Sequence, residues 1–189
     1  MYLCALLIAL AGLAPAAATA SPWELSGFVS GEARIFAHDA QYPRQHEANA
    51  SFAIQPELYT EWDNGDQSFL LVAYGRSDQG DDRRTHLDLR ELTYIQSATN
   101  WEIRLGVRKL FWGVAESNHL VDIINQTDLV ENIDTEDKLG QPMINIALIQ
   151  DWGTLDLFAL TGFRERTFPG VKGRFRPALR VDTSSASYD

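Results

Sequence analysis

The sequence predicts an all-β fold: an antiparallel up-and-down transmembrane β-barrel, about seven to eight strands of it present, with one long, partly helical loop. Three observations predict it. Apolar and polar residues alternate at period two in several segments, the pattern of a strand with one greasy and one wet face. The connections between these segments alternate between tight turns and extended loops, as in barrels with short periplasmic turns and long external loops. An uncharged apolar leader comes first, and no later stretch reaches the roughly 18 apolar residues of a membrane-spanning helix.

Residues 1–20 read as a signal peptide. They carry no charge, and the run Leu6-Leu7-Ile8-Ala9-Leu10 is followed by Pro15 and the small-x-small triplet Ala18-Thr19-Ala20. That triplet suits cleavage before Ser21. Residues 21–189 are then expected to form one exported β-barrel domain in the cell outer membrane. Cys4 is the sole cysteine and lies in the leader, so the mature domain is expected to lack disulfides, thiol nucleophiles and thiolate metal sites.

The strands follow in order. In residues 52–62, Phe52, Ile54, Pro56, Leu58, Thr60 and Trp62 share one side, and Ala53, Gln55, Glu57, Tyr59 and Glu61 the other. In residues 101–108, Trp101, Ile103, Leu105 and Val107 oppose Glu102, Arg104, Gly106 and Arg108. Residues 86–96 alternate with a fault: Leu87, Leu89 and Ile95 oppose His86, Asp88, Arg90, Tyr94 and Gln96, but Glu91 and Leu92 are out of phase. A bulge there would restore the alternation. Residues 25–36, 67–77, 142–151, 154–162 and 177–182 are weaker strand candidates. Pro56 is awkward within a strand because it has no N–H to donate.

Short connections are expected at Asp63–Asp66, Ala98–Asn100 and near Trp152-Gly153; longer ones at residues 37–51, 78–85, 111–141 and 163–176. Asn64-Gly65 is a hairpin signal, since a tight turn there needs positive φ. In lipid every backbone polar group must be paired internally, so only helices and closed barrels span. Glu57, Glu61, Glu102, Arg104 and Arg108 belong in a wet lumen, because a midplane Arg or Lys on the lipid side costs roughly 2–4 kcal/mol. Trp62, Trp101, Trp112 and Trp152 lie near strand ends and suit an interfacial aromatic girdle. A soluble β-sandwich, which also alternates, is the competing fold.

Sixteen Lys and Arg stand against 26 Asp and Glu, a formal net charge of −10. That balance argues against nucleic acid, which needs a basic face. No G-x-S-x-G, P-loop or G-x-G-x-x-G occurs, and no nucleophile stands beside a base, so no enzyme and no cofactor are expected. His38, His46, His86 and His119 make no metal-binding pair at helical spacing, and Asp78, Asp81 and Asp82 lack calcium-loop spacing.

The stretch from Leu89 to Asp128 resembles a largely uncharacterised family of porin-like outer-membrane barrels of Gram-negative bacteria, in the style of the alginate-export and phosphate-selective porins. The resemblance is carried by Leu89-Arg90-Glu91 with Tyr94, by Arg104-Leu105-Gly106 with Trp112-Gly113, and by Asp122-Ile123-Ile124-Asn125 with Asp128. Leu139–Met143 and Phe163–Gly170 are similar as well. The resemblance implies an amino-terminal portion of a longer barrel, since such family members have more strands than are counted here.

Two groups are candidates for function. Arg90, Tyr94, Glu102, Arg104 and Arg108 are expected to line the lumen and meet the solute. Arg104 and Arg108 share one strand face, with Arg90 nearby as a basic rung that attracts anions; the alternative is that these charges pair, Arg104 with Glu102 or Asp88. The 111–141 loop is too long for an idle connection. It is expected to carry a short helix at residues 117–125, capped by Ser117, and to fold into the mouth as an acidic constriction through Glu116, Asp122, Asn125 and Asp128. The expected function is an outer-membrane channel, or part of one, for small polar or anionic solutes. The alternatives are a non-conducting barrel with a structural or surface-binding role, and a secreted soluble β-sandwich binding carbohydrate. Outer-membrane lipid and a possible homo-oligomeric partner complete the expectations.

Overall fold

A computed structural model describes residues 22–111, 123–132, 134, 136–179 and 181. The leader, the proposed Trp112 of the girdle, and Glu116, Ser117 and Asp122 of the long loop lie outside the described residues. The described residues form one seven-stranded sheet: β1 (Trp23–Ile35), β2 (Ala48–Trp62), β3 (Gln67–Asp78), β4 (His86–Ala98), β5 (Trp101–Arg108), β6 (Gln141–Gln150) and β7 (Gly153–Leu160). Each strand pairs antiparallel with the next, in the order β1-β2-β3-β4-β5-β6-β7. The sheet is open, with β1 and β7 at its edges. Residues 177–179 and 181 form no strand, against expectation; Pro177 and the Arg176–Pro177 peptide remove a ladder donor there. β2 also begins four residues before the expected Phe52, because Phe36 donates to the Glu47 carbonyl and extends the hairpin.

The three short turns, after β2, β4 and β6, fall at one end of the sheet, and the long connections after β1, β3 and β5 at the other. In the first turn, Asp63, Asn64 and Gly65 all have positive φ, which Asn and Gly tolerate at small cost. The register carries alternation across the whole sheet. One face presents Leu25, Val29, Phe52, Ile54, Leu58, Leu71, Leu89, Leu92, Ile103, Leu105, Ile144, Ile146, Leu155 and Leu157. No Asp, Glu, Lys or Arg of the seven strands falls on it. It is also the uncovered face: Leu25 is 77% exposed and Leu87 90%.

The bulge anticipated in β4 is present. Val72 pairs with Glu91 and Ala73 with Leu89, leaving Arg90 as the extra residue. It lets His86, Asp88, Glu91 and Thr93 share the polar face while Leu87, Leu89 and Leu92 share the apolar one. The same residue corrects the expected placement of Tyr94. Beyond the bulge the phase is shifted, so Tyr94 lies on the apolar face, opposite Leu105. There it stacks on Trp62 at 6.1 Å and donates to Gln67 Oε1 at 2.7 Å. At the same end Trp23 meets Phe69 edge-on at 6.1 Å, and Trp101 opens β5. Thr60, between Trp23 and Phe69, is buried and donates its hydroxyl to the Pro22 carbonyl at 2.6 Å.

Buried side chains concentrate on the polar face and in the connections over it, and most are not hydrophobic. Thirteen polar or charged residues are buried among the described residues against seven hydrophobic ones, the reverse of an ordinary soluble core. Gly106, at φ +127°, allows β5 to approach β4: a Cβ there would collide with the Leu92 carbonyl oxygen. Gly106→Ala is expected to destabilise the fold by about 1–3 kcal/mol, the usual scale of a strained backbone site, and a denaturant titration would measure it.

Candidate functional site

The polar face is organised by ion pairs between strands and connections. On β3, Tyr74, Arg76 and Asp78 are two residues apart and share that face; β1 contributes Glu32 and β4 contributes His86, Asp88 and Arg90. Arg76 Nη1 reaches Glu32 at 3.2 Å and Ser51 at 2.8 Å. Arg84, the last residue of the short 3₁₀ turn Asp82–Arg84, donates to Asp78 at 2.7 Å and to Glu32 at 3.1 Å.

The long connection after β5 lies on this lattice. Glu131 accepts from the Tyr74 hydroxyl at 2.7 Å and pairs with Arg76 Nε at 2.9 Å. Asp128 accepts from Arg90 at 3.1 Å and from the Thr167 hydroxyl at 2.5 Å. Arg90, the bulge residue, packs its guanidinium 4.3 Å over the Tyr74 ring. The segment after β7 joins from the other side. Arg164 pairs with Asp88 and donates to the carbonyls of Leu89 at 3.1 Å and Gly140 at 3.2 Å, while Gln141 clasps the Arg164 backbone through both side-chain atoms, at 3.0 and 2.9 Å.

Of the expected lumen set, Arg104, Arg108 and Glu102 are together. Arg104 and Arg108 share Asn145 Oδ1, at 2.8 and 3.3 Å, and Asn145 is fully buried. Arg104 also pairs with Glu102 and reaches Asp156 at 3.8 Å. Arg90 does not join this rung; the bulge turns it toward Asp128 and Asp88. Of the expected constriction set, Asp128 lies on the polar face as described. Asn125 is a buried fastener, donating to the carbonyls of Arg108 at 2.7 Å and Leu139 at 2.8 Å and accepting from the Leu110 amide at 2.9 Å. Ile123–Asn125, the described end of the expected 117–125 helix, is not helical; the Asn125 side chain is tied instead to the backbone of Arg108, Leu110 and Leu139.

Outside the strands, burial pushes the Asp81 carboxyl up, against the Gly170 and Arg83 amides that favour its charged form. Burial pulls Lys109 down, helped by the neighbouring Arg90.

His86, Asp128 and Glu131 bring ligand atoms within 4.8 Å of one another, a spacing compatible with a cation. Asp128 and Glu131 already accept from Arg90, Arg76 and Tyr74, so a metal would have to displace guanidinium partners. The set reads as a charge lattice in which arginine is the cation. Sequence reasoning missed Arg76, Arg84 and Arg164. The Tyr74-x-Arg76-x-Asp78 alternation was the available signal for a polar face on β3. No family model, curated protein or solved structure matches the chain.

Removing one partner from a buried ionic network leaves the others unpaired, at roughly 3–5 kcal/mol. Arg90→Ala, which strands Asp128 beside Asp88, is expected to destabilise on that scale. Asp156→Ala, at the exposed edge, is expected to cost under about 1 kcal/mol. Thermal melts of the two variants would test the contrast.

Proposed function

We propose that this chain is a membrane-embedded outer-membrane β-barrel, or part of one, acting as a porin-like channel for passive passage of small polar or anionic solutes. The observation that carries the reading is the uncharged, uncovered apolar face, which extends over seven strands while every strand charge lies on the other side. A soluble protein rarely leaves so large a contiguous apolar surface open to water. Acyl chains suit it, provided that backbone groups are paired by neighbouring strands. The tryptophans support the same orientation. Trp23, Trp62, Trp101 and Trp152 gather at the short-turn end, where indoles suit a membrane–water interface. β1 to β4 and β6, at 10–15 residues, reach the length a tilted span needs, and β5 and β7 are 8 residues long.

On this reading Glu102, Arg104 and Arg108 face enclosed water, and the connection carrying Asp128 and Glu131, fastened by the buried Arg90, narrows the mouth at the long-connection end. Tyr94 takes an interfacial role in place of a lumenal one. A non-conducting barrel shares all of these features, so conduction itself is the discriminating measurement.

Leu105→Arg, mid-strand on the apolar face, is expected to cost roughly 2–4 kcal/mol of membrane stability and to cut the carbonate-resistant, heat-modifiable fraction at least ten-fold. Arg104→Leu, its neighbour on the polar face, is expected to retain that fraction. A Leu105→Arg variant that is unaffected or more soluble would favour the β-sandwich. Stepwise currents of the wild type in planar bilayers are expected for the channel, and silence there would favour the non-conducting barrel.

A further inference from the structure

His86 opens β4 on the polar face, and both of its ring nitrogens stand against oxygens that only accept. Nδ1 lies 3.2 Å from the Arg84 carbonyl oxygen, and Nε2 lies 3.5 Å from Glu131 Oε1. A carbonyl oxygen has no proton to give, so Nδ1 carries the hydrogen of the first contact. A neutral imidazole has one N–H. With it at Nδ1, the Nε2 lone pair is turned on a carboxylate oxygen; with it at Nε2, the Nδ1 lone pair is turned on the carbonyl. Only the imidazolium, with a hydrogen on each nitrogen, suits both neighbours.

Glu131 Oε1 is the acceptor that calls for this hydrogen. The Glu131 side chain is 4% exposed, and Oε1 is buried without a hydrogen-bond partner. The other oxygen, Oε2, takes the Tyr74 hydroxyl at 2.7 Å and Arg76 Nε at 2.9 Å. A buried acceptor left unmet is costly. The His86 side chain is 24% exposed, so solvent can deliver the proton.

The charges closest to His86 pair with one another. From β3, Arg76 sits opposite it in register and holds Glu131 Oε2 and Glu32, while the Tyr74 ring lies 5.9 Å away. Arg84 of the 3₁₀ turn is taken by Asp78 and Glu32. On β4 itself, Asp88 pairs with Arg164 of the segment after β7, and Arg90 with Asp128 of the connection after β5. Arg83, Glu165 and Arg166 line one cavity with His86. Arg90 Nη2 stays 3.9 Å from Glu131 Oε1, beyond hydrogen-bond reach, and His86 Nε2 is nearer.

We propose that His86 is a proton-operated clasp. Protonated, its Nε2–H bonds Glu131 Oε1 and fastens the connection after β5 to the start of β4. Deprotonated, it loses that bond, and the connection loosens around Glu131. An imidazole changes charge within about pH 5–8, so the clasp is shut at acid pH and open at alkaline pH. It stands whether or not the barrel conducts.

The test is hydrogen–deuterium exchange of residues 126–132 in the detergent-purified chain, at pH about 5.5 and about 8, with EDTA present. Protection is taken relative to the unfolded chain, which cancels the pH dependence of intrinsic exchange. The reporters are the Asp128 amide, bonded to the Asp137 carbonyl at 2.8 Å, and the Val130 amide, 3.3 Å from Asp128 Oδ1; β5 is the internal reference. The wild type is expected to be about ten-fold more protected at the acid pH, the scale of one hydrogen bond to a charged group. His86→Asn keeps a donor for the Arg84 carbonyl but has no charge, and is expected to show the low protection at both pH values. His86→Arg, permanently charged, is expected to show the high protection at both. His46→Gln, in the β1–β2 connection, is expected to keep the wild-type pH dependence. Should β5 lose protection in His86→Asn, that variant has unfolded and His86→Arg decides. Equal protection of the wild type at the two pH values would overturn the clasp. So would a pH dependence that survives in His86→Arg or disappears in His46→Gln. A difference seen only when Zn²⁺ replaces EDTA would assign the gap to a metal and overturn the proton.

Discussion

Strict two-residue alternation, held in phase across seven strands, is the constraint on which the rest of the structure depends. A one-residue slip in any strand would move its charges to the apolar face and its leucines to the polar one. The sheet meets this demand with one extra residue, Arg90, placed where β4 would otherwise lose step with β3. That single bulge decides three things at once. It puts Glu91 with the other charges, turns Leu92 and Tyr94 to the apolar side, and directs a guanidinium at Asp128. A bulge bends and twists its strand locally, so it also sits where the long connection after β5 comes down onto the sheet.

The buried charges follow from this arrangement. A polar face covered by connections must pair each ion it encloses, since an unpaired buried charge is far more costly than a paired one. Strand neighbours cannot do this alone, because cross-strand positions offer only a few partners to each residue. The connections supply the remainder: Asp128 and Glu131 from one, Arg164 and Thr167 from another, Arg84 from a third. Arginine suits the task because its planar fork serves several acceptors from one position. Arg164 illustrates this, holding two carbonyls and a carboxylate.

The strands were legible in the sequence wherever alternation was regular, as in residues 52–62 and 101–108, and the β4 bulge was legible as a fault in it. Tyr94 was misplaced because the fault was recognised without following its effect downstream of Arg90. The expected 177–182 strand alternates only over Leu179–Asp182 and starts at Pro177, which has no N–H to donate to a ladder. The Arg104–Arg108 pair could be read from spacing, since residues four apart on a strand share a face. Their common acceptor Asn145 could not, because it lies on β6, beyond a connection of more than thirty residues whose length conceals register. The Glu131 contacts were illegible for the same reason: period-two reasoning places residues on faces, but it does not say where a loop folds back.

Sequence separation also orders how such a structure can assemble. The hairpins join neighbours across turns of a few residues, whereas Arg164 pairs with a residue 76 positions away and Arg174 with carbonyls more than 130 positions away. Long-range contacts carry a larger loop-closure cost and are favoured only once intervening elements have paired. The polar face must therefore be set by strand register before its ion lattice closes. The connections are selectors of a sheet already in register, because a slipped strand would present leucine, not Asp88 or Arg90, to the carboxylates and guanidiniums that come down upon it. Alternation and lattice are then two readings of one requirement: charges that cannot face the apolar side must find one another on the opposite side.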